Sequence, residues 1–205
     1  MSGATLTITI GLATATAVML PSLIRRLKRR AAPPLWFSSL LSDTAMWQRL
    51  VVQEWDDPGW RTRNGWAGTD FVHGASAAVH VPDYVLEVNG AAAVHLVGAV
   101  HFGAAAESHR QLCHGGTMTA VMDDVIGWTG FCCDGTCRPW SGFTVQINTA
   151  LKAPVAVGSW LRVDGRVIRR EGGRKVWVSA SLTCPETGKT HCEAEGLFLL
   201  AKPSA

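Results

Sequence analysis

The chain has 205 residues, of which 47% are hydrophobic and 17% charged, enough to bury one substantial core, so one domain with extensions is expected. Its formal net charge of +3 rests on Arg25, Arg26, Lys28, Arg29 and Arg30, all ahead of the first acidic residue, Asp43; the remainder carries 14 basic against 16 acidic residues. That balance excludes the basic surface of a nucleic-acid-binding protein. Neither a G-x-x-x-x-G-K-[ST] nor a G-x-G-x-x-G element is present, so the sequence gives no sign of nucleotide hydrolysis or hydride chemistry, and no cofactor is expected.

Residues 1–32 read as a separate segment. Met1 to Ile24 is apolar, rich in Thr and Ala, free of charge, and followed at once by the Arg/Lys block. Absence of acid together with that block suits a mitochondrial presequence. The alternative is a membrane anchor, since about 20 apolar residues just span a bilayer.

Residues 33–70 read as an extension. Ala31 to Leu35 carries two prolines and reads as a linker; Ser42 or Asp43 then caps a predicted helix with Met46, Trp47, Leu50, Val51 and Trp55 on one side, stopped by Asp56-Asp57-Pro58-Gly59. Trp36, Trp47, Trp55, Trp60 and Trp66 crowd this stretch, five of the nine tryptophans. Their large bodies suit packing over a sheet, with the wall of an acyl-chain site as the sharper alternative. Gly59 to Gly68 reads as a loop.

The domain expected over residues 71–201 begins with strands. Tyr84 to Val88, Asn89-Gly90 and Ala91 to Phe102 form a hairpin signal, because Asn-Gly readily takes the positive φ angles of a type I′ turn. Cys113 to Gly127 then reads as a loop turning into a helix. Met118, Val121, Met122, Val125 and Ile126 recur at the spacing of a buried helical face, while Gly116, Ala120, Asp123 and Gly127 form a small-residue face bearing one carboxylate. Asp124 lies about 100° further round, beside Thr117 and Trp128, as a solvated or N–H-bonded carboxylate. Beyond a loop from Phe131 to Ser141, Phe143, Val145, Ile147 and Leu151 alternate with Thr144, Gln146, Asn148 and Ala150, a strand with one apolar and one polar face. Strands over Trp160–Arg169, Lys175–Thr183 and Thr190–Leu200 complete an α+β pattern in which an antiparallel sheet wraps one long central helix.

His114-Gly115-Gly116, six residues, then Asp123 resembles the signature of hotdog-fold acyl-CoA thioesterases of the phenylacetate-pathway type and of thioesterase superfamily members 4 and 5. Thr144 to Asn148 followed by Leu151-Lys152-Ala153-Pro154 is similar to the strand and basic-x-Pro turn after that family's central helix, and Val100 to Gly103 with Glu107 to its approach strand and loop. The likeness covers Tyr84 to Leu200. No Asn stands between Glu107 and Gln111, where phenylacetate-type members often carry one, which points to the branch acting on long acyl chains.

The resemblance implies a hotdog fold, hydrolysis of medium- to long-chain acyl-CoA to fatty acid and CoA, and a place in lipid metabolism. It implies Asp123 as base or nucleophile, Gly115 N–H as the carbonyl-oxygen donor with Gly116 beside it, His114 opening the motif, Thr144 holding water or carboxylate, and Asn148 and Lys152 in substrate binding. Eight residues at 1.5 Å separate Gly115 from Asp123 by about 12 Å, so the two cannot meet over one substrate within one helix. A homodimer or tetramer that supplies each from a different subunit is therefore expected. The rival reading is a catalytically silent acyl-CoA- or protein-binding hotdog module.

The six cysteines lack the paired short spacings of a structural zinc site, so no metal is expected and free thiols are the default. Cys113, His114 and Asp123 imitate a nucleophile system in name only, since adjacent side chains point apart. Lys152, Arg162, Arg166, Arg169, Arg170, Arg174 and Lys175 read as solubilising charge on strands, with CoA phosphate contact as the alternative for a few.

Overall fold

A computed structural model describes residues 32–57, 59–74, 77–88 and 94–202; the expected targeting segment and the Asn89-Gly90 turn lie outside the described residues. In chain order come α1 (Leu35–Ser42), β1 (Trp47–Arg49), the single helical turns α2 (Gln53–Asp56) and α3 (Trp60–Arg63), β2 (Val79–His80), β3 (Tyr84–Glu87) and β4 (His95–Phe102). A small hairpin, β5 (Glu107–His109) and β6 (Leu112–Cys113), leads into α4 (Gly115–Phe131). The chain ends as a meander of β7 (Gly142–Leu151), β8 (Trp160–Glu171), β9 (Lys175–Thr183) and β10 (Thr190–Leu200).

One antiparallel sheet runs in the order β1-β3-β4-β8-β9-β10-β7, with β2 beside β4. Its inner face wraps α4, whose Met118, Val121, Met122, Val125 and Ile126 are all buried, as the helical spacing predicts. Close wrapping requires missing side chains. A Cβ at Gly165 of β8 would stand 2.2 Å from Thr129 Oγ1, and one at Gly196 of β10 would stand 2.9 Å from Ile126 Cδ1. The outer face over β3 and β4 is covered by α1, where Phe37 packs with Val85, Val97 and Ala99 among Trp36, Trp47 and Trp160.

The extension departs from its predicted form. The helix lies earlier, over Leu35–Ser42, and Trp47–Arg49 is a strand paired with Val85–Glu87. The apolar spacing of residues 46–55 fits a helix, but β3 offers an open edge: Leu50 N donates to Tyr84 O at 2.9 Å and Val88 N to Met46 O at 2.9 Å. Tertiary pairing overrides the weaker local preference. Leu50 and Val52 consequently join the main core and Trp47 the outer cluster, so the extension and the sheet share one body.

β7 also departs from clean alternation. Its register against β10 shifts between Leu197 and Phe198, leaving Val145 as the extra residue. Such a bulge reverses the facing of everything beyond it. Phe143 and Val145 turn outward while Thr144 and Ile147 both turn inward, and Ile147 reaches the core.

Candidate functional site

The start of α4 is held from three sides. His114 N donates to Ala106 O at 2.8 Å, Cys113 N donates to Val155 O at 2.9 Å, and Gln111, in the left-handed region at φ 65°, donates its N–H to Glu107 Oε1 at 2.6 Å. His114 then caps the helix with its ring: Nδ1 accepts from Gly116 N at 2.8 Å. An accepting Nδ1 places the ring proton on Nε2, which has no hydrogen-bond partner among the described residues. The cap also separates the two glycine N–H groups. Gly116 N–H is taken by His114, and Gly115 N–H is the one without a partner among the described residues. A Cβ at Gly115 would come 2.6 Å from Leu151 Cδ1, the far end of β7.

Two turns on, Asp123 faces β7 on the small-residue side of the helix. Thr144, turned inward by the bulge, lines the same two grooves as this carboxylate. Desolvation in this crease raises the Asp123 pKa above its ordinary value, the Thr144 hydrogen bond opposes the rise, and the charge of Asp124 adds to it.

Two grooves meet at this pair. One, of about 510 Å³, runs toward the helix start between Gly116, Thr119 and Ala120 of α4 and Thr144 to Ile147 of β7. The other, of about 470 Å³, runs the opposite way and is walled by Trp66, Phe71, Trp128, Phe131, Trp140 and Phe143. Trp66 arrives from the loop after α3, where Arg61 lies 4.3 Å over its ring, and it packs 4.9 Å from Trp140. The crowded tryptophans thus divide. Trp36 and Trp47 pack the outer face, Trp55 the inner, and Trp66 a groove wall.

Asp124 is held by side chains distant in sequence and is not left to solvent. Its Oδ2 accepts from Tyr84 Oη at 2.7 Å and lies 3.2 Å from His73 Nε2. Asn148 is not gathered with Thr144: past the bulge it faces outward, opposite Glu195. Lys152 lies beyond the end of β7, paired with Glu193 at 3.0 Å. Of the other basic residues, Arg162 forks onto Asp164, Arg169 pairs with Glu171, Arg170 with Asp134, and Arg174 donates to Leu200 O. The cysteines are free, and among the described residues no group of three His, Cys, Asp or Glu side chains could hold a metal.

No family model and no curated protein matches the chain. Solved structures do. A thioesterase superfamily protein aligns with 93% of this chain and 81% of its own at 22% identity and a TM-score of 0.50. A Lactococcus lactis protein named as a thioesterase aligns with 60% of this chain and 94% of its own at 10% identity and a TM-score of 0.52. The fold is the hotdog fold. Zebrafish thioesterase superfamily member 2 aligns with 74% of this chain and all of its own, at 18% identity and a TM-score of 0.49. In this hotdog, the helix that the sheet wraps also carries the cap, Gly115 and Asp123.

Proposed function

We propose that the protein hydrolyses medium- to long-chain acyl-CoA thioesters, at sites shared between two copies of the chain. One observation carries this reading: an Asp123 carboxylate beside Thr144 and made more basic by its surroundings, standing where a small-residue groove meets an aromatic one. A carboxylate whose pKa is raised takes up a proton more readily, as a general base must. The aromatic groove lies within the range of about 300–1,000 Å³ typical of ligand sites and suits the acyl tail.

In this mechanism Asp123 takes a proton from water as its oxygen attacks the thioester carbonyl carbon. The carbonyl oxygen becomes an oxyanion, met by Gly115 N–H at a helix start whose dipole favours negative charge. Collapse breaks the C–S bond, the proton passes from Asp123 to the departing thiolate, and a carboxylic acid and free CoA result. His114 Nε2–H is a second donor at the carbonyl end. Lys152 stands beyond the helix start, toward the CoA end of such a substrate.

A second copy is required because Gly115 and Asp123 are about 12 Å apart along one helix. β7 is an edge strand whose Phe143, Val145 and Leu151 are 58%, 46% and 51% exposed. Unpaired edges with apolar side chains are surfaces that natural proteins cover. Edge-to-edge pairing of two β7 strands would cover them and bring each helix start toward the partner's carboxylate.

The test is incubation with a series of acyl-CoAs and a free-thiol readout, with Asp123→Asn as the control. Thiol release that requires Asp123 supports the reading; saturable acyl-CoA binding without release would make the protein a silent binding module. Mixing inactive Asp123→Asn subunits with inactive Gly115-altered subunits tests the shared site, since hybrids should regain turnover. Mitochondrial import through residues 1–32 is likewise our proposal, tested by fusing that segment to a reporter; a uniform cytosolic signal would refute it.

A further inference from the structure

His73 is buried, with its side chain 3% exposed, and both ring nitrogens face acceptors. Nδ1 lies 2.8 Å from Val81 O and Nε2 lies 3.2 Å from Asp124 Oδ2. A carbonyl oxygen only accepts, so Nδ1 carries a proton. The Asp124 oxygen already accepts the Tyr84 hydroxyl at 2.7 Å, as suits an ionised carboxylate, and an ionised carboxylate also only accepts. Nε2 then carries the second proton. Trp55 stacks on the imidazole with centroids 4.1 Å apart, presenting the electron-rich ring face that a cation prefers.

We infer that His73 is an imidazolium at neutral pH paired with Asp124, and that it acts as a positioning residue whose charge shields Asp123 from the carboxylate beside it. The shielding role rests on the reading of Asp123 as the base; the ion pair itself does not. Two adjacent carboxylates on one groove wall would otherwise each make the other hold its proton more tightly. His73 comes from the loop before β2, 51 residues away in sequence, and gives Asp124 a cation on the side turned from the groove.

The charges around this pair are consistent with the assignment. Asp70 on the same loop, Glu54 of α2 and Asp83 ahead of β3 all lie within electrostatic reach of His73. Arg61 answers Glu54 and Asp70, and Arg49 answers Asp83, so the acidic surplus falls on His73. Burial by itself presses the His73 pKa down; the Asp124 charge and hydrogen bond, with Asp70 and the Val81 carbonyl, hold it above its ordinary value.

The test is nuclear magnetic resonance on the full chain, independent of catalysis. Nitrogen shifts of His73 should show both ring nitrogens protonated at pH 7.5; a lone pair on Nε2 at that pH overturns the pair. Carboxyl-carbon titration of Asp123 then reads the shielding. His73→Gln leaves Asp124 uncompensated and should move the Asp123 titration to higher pH, Asp124→Asn should move it to lower pH, and the double variant should return it toward the parent. Shifts in one direction for both single variants, or in neither, overturn the shielding. The acid limb of kcat/KM for an acyl-CoA separates the two ideas: a limb that fails to follow the Asp123 titration removes Asp123 as the base and leaves the ion pair standing. Should His73→Gln not fold, the parent nitrogen shifts and Asp124→Asn still decide.

Discussion

Two imidazoles are buried on opposite faces of the same sheet, and each has acceptors at both nitrogens. His95, on the outer face, meets Glu87 at 2.7 Å and Asp164 at 2.8 Å, beneath the edge of Trp47. Asp164 is also gripped by the guanidinium of Arg162 at 2.7 and 2.8 Å, so the outer cluster is closed. His73, on the inner face, has Asp124 without any such guanidinium, and Asp124 opens onto the aromatic groove. The same pairing therefore serves different ends. Enclosed under a helix it joins strands, whereas beside a cavity it leaves charge where a ligand meets it.

The sharpest way to break the comparison is to attack what each cluster adjoins. Asp123→Asn, on the inner side, should lower acyl-CoA turnover by about 10²- to 10⁴-fold, the usual loss on removing a general base, while circular dichroism stays that of the parent. Asp164→Asn, on the outer side, should leave turnover per folded molecule near the parent and lower stability in urea titration. The loss is at most about 3–5 kcal/mol, the range for breaking a fully buried pair, and smaller to the extent that water reaches it. Equal activity losses from the two would show that the faces are not separable.

Acid and base should then tell the clusters apart. Burial pushes the Asp164 pKa up, but Arg162 and His95 hold it below the ordinary value. Its contribution to stability is present above the unfolded value of about 3.9 and is lost as pH falls through the lower folded value. His73 runs the other way: with its folded pKa raised, its contribution is complete below about 6.5 and is lost as pH rises through the folded value. Urea titrations across pH should show the stability gap between parent and His73→Gln shrinking on the alkaline side, and that for Asp164→Asn shrinking on the acid side.

Smaller effects refine the inner site. Thr144→Ala should cost less turnover than Asp123→Asn and move the acid limb to higher pH, because the hydroxyl opposes the rise in the Asp123 pKa. Trp66→Ala should raise KM for long acyl chains by about tenfold, the equivalent of losing part of a large buried contact, and leave short-chain kcat near the parent. An equal effect on both chain lengths would place the acyl tail elsewhere.

The helix α4 and the strands after it were legible because their periodicity is strong and local: Met118, Val121, Met122, Val125 and Ile126 announce their face, and the limits of β9 and β10 fall where the turn residues stand. The extension was not. Apolar residues between Met46 and Trp55 fit a helix, and only the open edge of β3 decides for a strand. The bulge at Val145 was equally hidden, since nothing in the alternation of β7 announces a shift of register against the neighbouring strand between Leu197 and Phe198. Partners of Asp124 lie 40 and 51 residues away, and no spacing rule links them. The one available signal was a histidine and an aspartate within the short stretch Asp70 to Gly74, otherwise too apolar for a solvated loop.

The helix cap carries a consequence for how the proposed reaction ends. With Gly116 N–H occupied by His114, the helix start offers a lone backbone donor at Gly115 and not a forked cradle. A thioester presents one carbonyl oxygen, and one donor is enough to seat it. The freed fatty acid presents two equivalent oxygens bearing a full charge, finds no second backbone hydrogen to grip them, and faces the carboxylate of Asp123. Beyond that one backbone hydrogen and the His114 Nε2–H, the outgoing acid meets only an opposing carboxylate, so the arrangement favours product escape over product inhibition.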